Sequence, residues 1–599
     1  MADLTISANV GTGGTNRPVD VRTVQYLLNK VSAADGGPTP ALEMRSGICG
    51  AKTVAAIRQF QQRQLGSADG IVEPGERTLA TLNQLDRQST DKLVVTNHGA
   101  LVAKYGAAGV AEIDTAIAAL VTADLARGLV TTVVALDDGS AMSALNAPPV
   151  TDPADQRQNK AAIDGVCVAS LPDYLLLLGA PDIIPHQDLT NPVFQAGVDD
   201  DVVVPSDLPY ATEAPYSTDV RKFLAPTRVV GRLPDLMAHA HDGTADPAYL
   251  VGLLEQAAAW QATTRADYQD PFASTAAVWS GSSRLSVTNT FGPTADLHLI
   301  PAEGPAWPDA LVALRSHFIN CHGSPIDPTF YGQPADGSSQ FPEAHLASLL
   351  PGRITAGTVV AAECCYGAEL YDPSDQAEGQ AGFANTYLGE GAFGFCGSTN
   401  IAYGPSDTND LADLVCQWFL GAVLNGASLG RALLDVRHRY LLEGHTGPTD
   451  LKTLAQFLLV GDPSIQPVRD ARSHHRALDH GAVESAERAE RRDRSRRVAT
   501  TLSSVPVARA APDRSLDPDI EAGLRRVASQ AGRAYTAPLT FVIDAPRRRD
   551  LPDEVDAPEA IHLLMSAEID ASVPDRIVHV IEAREQRGMI IGYREYTSR

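Results

Sequence analysis

Apolar residues recur at helical spacing in two stretches near the start of the chain, Pro18–Lys30 (Val21, Val24, Leu27, Leu28) and Thr53–Gln64 (Val54, Ile57, Phe60). The spacing predicts two amphipathic helices. The segments SGICGAKT (46–53) and ADGIVEPGERT (68–78) each read as a Gly-bracketed turn followed by Thr at a helix start, where a hydroxyl can cap exposed N–H groups. Residues 1–85 therefore read as a first unit with an internal turn–Thr–helix repeat. From 91 to 465 short apolar runs alternate with helical patterns, the signature of an α/β fold around a mainly parallel sheet flanked by helices. Strands are predicted at Leu93–Asn97, Val130–Leu136, Tyr174–Leu178, Thr227–Val230, Ala276–Ser280, Phe318–Cys321, Thr358–Ala362 and Ala392–Cys396. Helices are predicted at Ala111–Ala126, Ala248–Arg265, Asp410–Leu424 and Ser428–Leu441, with long loops around 182–225 and 322–345. Residues 466–515 form a charged, Arg-rich linker containing RAERRDRSRR without an apolar stripe, which reads as a solvated segment. Residues 516–599 carry one helical pattern (Ile520–Gln530) and the strand-like runs LTFVID, IHLLMS and GMIIGYREY, a small α+β domain to which the pattern assigns no chemistry.

Length and charge narrow the function. A chain of 599 residues should hold about three to five units. Its 48 Lys+Arg against 73 Asp+Glu leave a net charge of −25, which repels a phosphate backbone, so no nucleic-acid partner is expected. The start, MADLTISANVGTGGTN, has no basic and apolar leader pattern, and the best apolar stretch, Leu411–Leu429, is interrupted by Asp413 and Gln417. The expectation is a soluble protein without a membrane span, cytoplasmic or exported by a route that needs no cleaved signal. Seven scattered cysteines with no CxxC pair argue against a disulfide scaffold and a structural zinc site.

In the first unit, VQYLLN, GICGAKTVAAIRQFQ and DGIVEPGERTLATL together resemble the peptidoglycan-binding-like domain, a small three-helix module. The resemblance implies either peptidoglycan or a docking partner as ligand of residues 1–85, and Ser46 stands where that family usually shows Asp.

Two segments carry chemistry. HFINCHGSP (317–325) and TVVAAECCYGAEL (358–370) are apolar runs of the kind buried on both faces, each ending in a reactive residue with a glycine close behind. Ligands of open α/β sheets sit at the carboxyl ends of strands, so neighbouring strands would bring His322 and Cys364 into one crevice. The separation leaves room for a loop and a crossover helix at HLASLL (345–350). A thiol needs a basic neighbour to become a strong nucleophile. His322 fits that role, and the backbone N–H groups of Gly323 and Cys364 are placed to hold an oxyanion. Cys365 is the alternative nucleophile. Adjacent strand residues point to opposite faces, so only one of the two can face the crevice, and the Cys-x-x-Gly spacing favours Cys364.

These motifs, with YLLLLGAPDIIP, PSDLPYAT, RVVGRLP, GAFGFCGSTNIAYG and FLLVGDPS in order, resemble the gingipain-type family of the caspase-like clan of cysteine peptidases. The resemblance implies a caspase-like fold, cysteine endopeptidase activity on protein or peptide substrates, and catalytic roles for His322 and Cys364. It also places the wall of the pocket for the residue before the scissile bond on Gly397–Gly404, with Ser398, Asn400 and Tyr403 as wall residues. Asp207 is the acidic candidate for reading a basic side chain, in which case Arg488–Arg497 becomes a site of self-cleavage. His98 (LVVTNHG), His186 and His445 read as loop or surface histidines. No cofactor is expected. Asp199–Asp201 with Asp207 offer the carboxylates that calcium takes, but their spacing fits no fixed loop, and acidic surface is the better reading. GEGAFG (389–394) enters a strand where a dinucleotide fingerprint must follow one. Two rival readings stay open: a catalytically silent scaffold, and a peptidoglycan-directed wall protein.

Overall fold

The computed structural model describes residues 4–31, 35–39, 42, 46–87, 90–469, 494–543, 559–569 and 576–599. Ten strands build the central sheet: β1 (Lys92–Thr96), β2 (Thr131–Ala135), β3 (Tyr174–Leu178), β4 (Val229–Leu233), β5 (Pro271–Ala276), β6 (His298–Ile300), β7 (Ser316–Asn320), β8 (Val359–Ala362), β9 (Gly394–Ser398) and β10 (Phe457–Gly461). Their order is β6-β5-β7-β8-β9-β10-β4-β3-β1-β2. The expected parallel sheet is present as two parallel blocks, β6 to β9 and β10 to β2 in that order, which meet at one antiparallel seam pairing β9 with β10. Most of the apolar runs in the sequence become strands because both faces are covered: every residue of β3, β7 and β8 is buried.

Three expectations for this unit are corrected. The strand placed at Ala276–Ser280 lies earlier, at Pro271–Ala276, and Ser280–Phe291 is a helix. Ser274 and Thr275 hide the strand in the sequence, but their hydroxyls are spent inside, on His345 at 2.8 Å and Ser283 at 2.8 Å. HLASLL forms no crossover helix. Glu343–Leu346 pairs with Thr329–Tyr331 in a hairpin and then makes a short 3-10 turn. The helix expected at 111–126 starts at His98, broken at Gly106 (φ 65°). Among the described residues it is the one helix long and apolar enough to cross a membrane, and its Ile113, Ile117 and Leu120 pack into the sheet's core.

The first unit holds helices Pro18–Lys30, Ala51–Leu65 and Arg77–Arg87 around a core of its own. Thr53 does not cap. Its hydroxyl accepts from Gln25 Nε2 at 2.9 Å, and Thr78 accepts from Gln61 Nε2 at 3.1 Å, so the sequence repeat is a repeated interhelix bond. At the other end, Ala508–Ala510, Leu539–Ile543, Glu559–Ile569, Arg576–Gln586 and Met589–Ser598 form an antiparallel sheet beside helix Pro518–Gln530. Its sixth strand, Tyr403–Gly404, comes from the large unit, and Phe541, Ile561, Leu563 and Met565 share that unit's core. Most of RAERRDRSRR lies outside the described residues. The described part, 494–502, is helical, and Ser495 is buried against Arg431 at 2.9 Å rather than solvated.

One buried cation ties the sheet together. Lys92, on β1, is enclosed between Asp124 at 2.9 Å and Asp462, which follows β10. Removing one partner of a buried pair strands the others without water. Lys92→Met is expected to lower unfolding free energy by about 3–5 kcal/mol, read from urea denaturation midpoints.

Candidate functional site

Strands β7 and β8 are parallel neighbours, with Ser316 opposite Val359 and Ile319 opposite Ala362. Their carboxyl ends bring Cys321–Gly323 and Glu363–Cys365 side by side. Strand alternation sorts the side chains. Ile319, Cys321, Ala362 and Cys364 pack on one face, and Phe318, Ala361 and Cys365 on the other.

Cys364 is thus on the wrong face for the role the spacing suggested. Its sulfur is fully buried, accepts from the Cys321 N–H at 3.4 Å and donates to the Ile319 carbonyl at 3.8 Å. Burial pushes its thiol well above the ordinary range. The Cys365 sulfur lies on the opposite face, where it accepts from the Ala402 N–H at 3.2 Å and its thiol faces the Ala402 carbonyl at 3.5 Å. Tyr366 then takes a left-handed conformation (φ 54°) that turns the chain away from the sheet. The Cys-x-x-Gly spacing alone did not fix the parity of the strand.

The predicted N–H donors are corrected in the same way. Gly323 N–H, at 3.3 Å, and Cys365 N–H, at 3.1 Å, both donate to one oxygen, the main-chain oxygen of Arg599. Gly323 is required by close approach, since a Cβ there would lie 1.9 Å from the Cys365 carbonyl oxygen. His322 follows β7 and pairs both its backbone groups with Tyr331. Its ring sits 4.4 Å from Trp279 and 5.2 Å from Phe341, centroid to centroid. Nε2–H donates to Gln333 Oε1 at 2.9 Å, which leaves the lone pair on Nδ1. Burial, aided by the Arg599 guanidinium and opposed by the Gln333 bond, lowers the imidazole pKa to about 4, so the ring is neutral at pH 7.

Beside this lies an acidic pocket that the sequence reading missed. The Arg599 guanidinium is buried, with Nη2 at 3.1 and 3.3 Å from the Asp413 carboxylate, 2.7 Å from the Pro405 carbonyl and 3.4 Å from Ser282 Oγ. It stacks on Trp279 with its carbon 4.4 Å from the ring centroid. Glu363 lines the same space. Burial first, and the Asp413 charge second, push the Glu363 carboxyl well above the ordinary carboxylate range, while burial raises Asp413 against the pull of the Arg599 guanidinium. Gly404 keeps the pocket open, because a Cβ there would fall 2.2 Å from Nη2. The available signal was the acid immediately before the cysteine pair. Trp279 and Ser282 were hidden by the misplaced strand, and Asp413 read only as an interruption of an apolar helix.

The other predicted site residues are elsewhere or otherwise engaged. Asp207 does not face a substrate groove. It is closed by Arg232 at 2.6 and 2.9 Å and by His186 at 2.9 Å. Ser398 Oγ donates to the Cys364 and Asn400 carbonyls at 2.9 and 3.0 Å, and the Asn400 amide donates to Val203. Tyr403 contributes its backbone to the groove, while its hydroxyl donates to Asp199 at 2.6 Å. The run Asp199–Asp201 is not simply acidic surface. Asp199 is buried on Lys452, Asp201 binds Tyr366 and the Ile401 N–H, and Asp200 pairs with Arg576. His445 is no surface group either. It is held by Asp410 at 3.2 Å and Asp450 at 3.5 Å, and against its burial these two carboxylates raise it to about 9. His98 begins a helix, and its ring stays nearly half exposed.

Residues 17–82 match the family model "Putative peptidoglycan binding domain". No curated protein and no solved structure matches the chain.

Burial alone would raise the Asp207 carboxyl, but Arg232 and His186 outweigh it and hold it well below the usual carboxylate range. A carboxyl depressed in the fold contributes stability that is complete above its unfolded pKa of about 4 and is lost as pH falls below it. Asp207→Asn is expected to cost about 3–5 kcal/mol at pH 7 by stranding Arg232, and to flatten the decline of urea midpoints below pH 4.

Proposed function

We propose that this chain is a cysteine endopeptidase of the caspase-like clan, resembling the gingipain type, with Cys365 as nucleophile and His322 as base. The observation that carries this reading is the single main-chain oxygen held by the N–H groups of Gly323 and Cys365, on the face that also presents the Cys365 sulfur. An oxygen bound by two N–H donors at the nucleophile's own residue is what acyl transfer needs.

The chemistry follows from those groups. His322 Nδ1 takes the Cys365 thiol proton, and the thiolate adds to the scissile carbonyl carbon. The oxyanion is stabilised by the two N–H groups. Collapse breaks the C–N bond while the imidazolium returns its proton to the leaving amine, and water then hydrolyses the thioester. Gln333 acts as a positioning residue, holding the tautomer through Nε2.

Cys365→Ala and His322→Ala are each expected to lower hydrolysis of arginyl peptide amides by at least ~10³-fold, a loss typical of removing a nucleophile or its base. Cys364→Ala should keep activity and lose only core packing. Equal losses in Cys364→Ala and Cys365→Ala, or no turnover in either the unaltered or the Arg599→Ala chain, would overturn the reading.

A second reading concerns where the protein acts, and the family match over residues 17–82 favours it. The helical module would hold the α/β unit at peptidoglycan. The chain is expected to sediment with purified wall sacculi, and deletion of residues 1–85 should abolish sedimentation. Binding that survives the deletion removes this argument.

A further inference from the structure

The last strand, Met589–Ser598, is paired with Arg576–Gln586 on one side and, at its end, with the large unit on the other. Ser598 and Thr597 pair antiparallel with Tyr403 and Gly404 of the large unit, and the Arg599 N–H donates to the Ala402 carbonyl at 3.0 Å. An extended segment that adds to an exposed edge through main-chain bonds, with a side chain seated in a pocket, is a recurrent mode of peptide recognition. Here all three elements of a bound substrate occur together. The main chain runs along Ala402–Gly404, the arginine side chain fills the pocket beside Asp413 and Glu363 over Trp279, and the arginine main-chain oxygen sits on the Gly323 and Cys365 N–H groups.

We propose that Thr597–Arg599 is a built-in pseudosubstrate: the C-terminal α+β domain keeps the site closed by placing Arg599 where the residue before the scissile bond of a substrate would lie, and substrates carry arginine at that position. This rests on the peptidase reading above and gives the domain a role. The occupant is well anchored behind the groove. Tyr596 is buried with its hydroxyl toward Asp410 at 3.3 Å, Arg594 pairs with Asp410 at 2.7 Å, and Ser598 Oγ accepts from the Val578 N–H at 2.9 Å. A tethered occupant acts as an intramolecular competitor at an effective concentration on the order of millimolar, above what a free peptide reaches in a usual assay. Selection for arginine over lysine follows from the planar guanidinium lying over the Trp279 ring, a stack that a point-charge ammonium does not make.

The test compares alkylation of Cys365 by iodoacetamide, located by tandem mass spectrometry, in the unaltered full chain, in Arg599→Ala and in Arg594→Ala. The last variant loosens the strand without touching the pocket and serves if Arg599→Ala folds poorly. Both variants are expected to react at least ~10-fold faster and to hydrolyse micromolar arginyl amides correspondingly faster, with lysyl amides lagging. Alkylation rates equal within about twofold across the three chains, well inside the shift expected for a tethered competitor, would overturn the proposal. Faster alkylation without any arginyl-amide hydrolysis would leave the closure standing and remove the peptidase reading instead.

Discussion

The contact on which the site depends is the approach of two backbones where β7 and β8 end. Gly323 lies so close to Cys365 that no side chain fits between them, and this proximity aims two N–H groups at one point. Everything else is arranged around it. The parallel register of β7 and β8 sets the two strand ends level, the left-handed Tyr366 turns the chain off at once, and the Thr329–Leu346 hairpin supplies Gln333 to orient His322. Backbone donors held by a sheet cost no reorganisation when charge develops in front of them.

Charge buried in ordered pairs is the second theme. Lys92 with Asp124 and Asp462, Arg232 with Asp207 and His186, and Lys452 with Asp199 each join distant parts of the chain beneath apolar surface. The acidic pocket is built on the same rule and differs in one respect. Its Asp413 carboxylate meets a cation that belongs to the last strand rather than to the α/β unit. The structural pairs are closed within one unit, and the pocket is closed across two.

Much of the fold was legible because it is written in apolar runs. Tyr174–Leu178 has its true bounds in the sequence pattern, and β1, β2, β7, β8 and β9 agree to within two residues at every end. What hid was whatever broke that pattern. Ser274 and Thr275 disguised β5, with Trp279 and Ser282 beyond it; β6 and β10 were not among the predicted strands, although FLLVG in β10 is an apolar run, and the direction of β10 has no periodic signature at all. His322 and Gly323 stand out in the sequence because each type is informative alone, and both lie just beyond the end of β7. The choice between Cys364 and Cys365 depends on strand parity, which a spacing of three residues to a glycine does not encode. Asp207 misled because an acid in a loop looks available until its partners, Arg232 and His186, are seen folded onto it.

The Gln25–Thr53 and Gln61–Thr78 bonds of the first unit have a consequence for its behaviour in brine. Each clasp joins neutral groups, so added electrolyte, which shrinks the Debye length from about 10 Å at 0.1 M to about 3 Å at 1 M, has little purchase on the framework of this module. Its helices should keep their mutual arrangement across conditions that strip away any ligand held to its surface by charge alone.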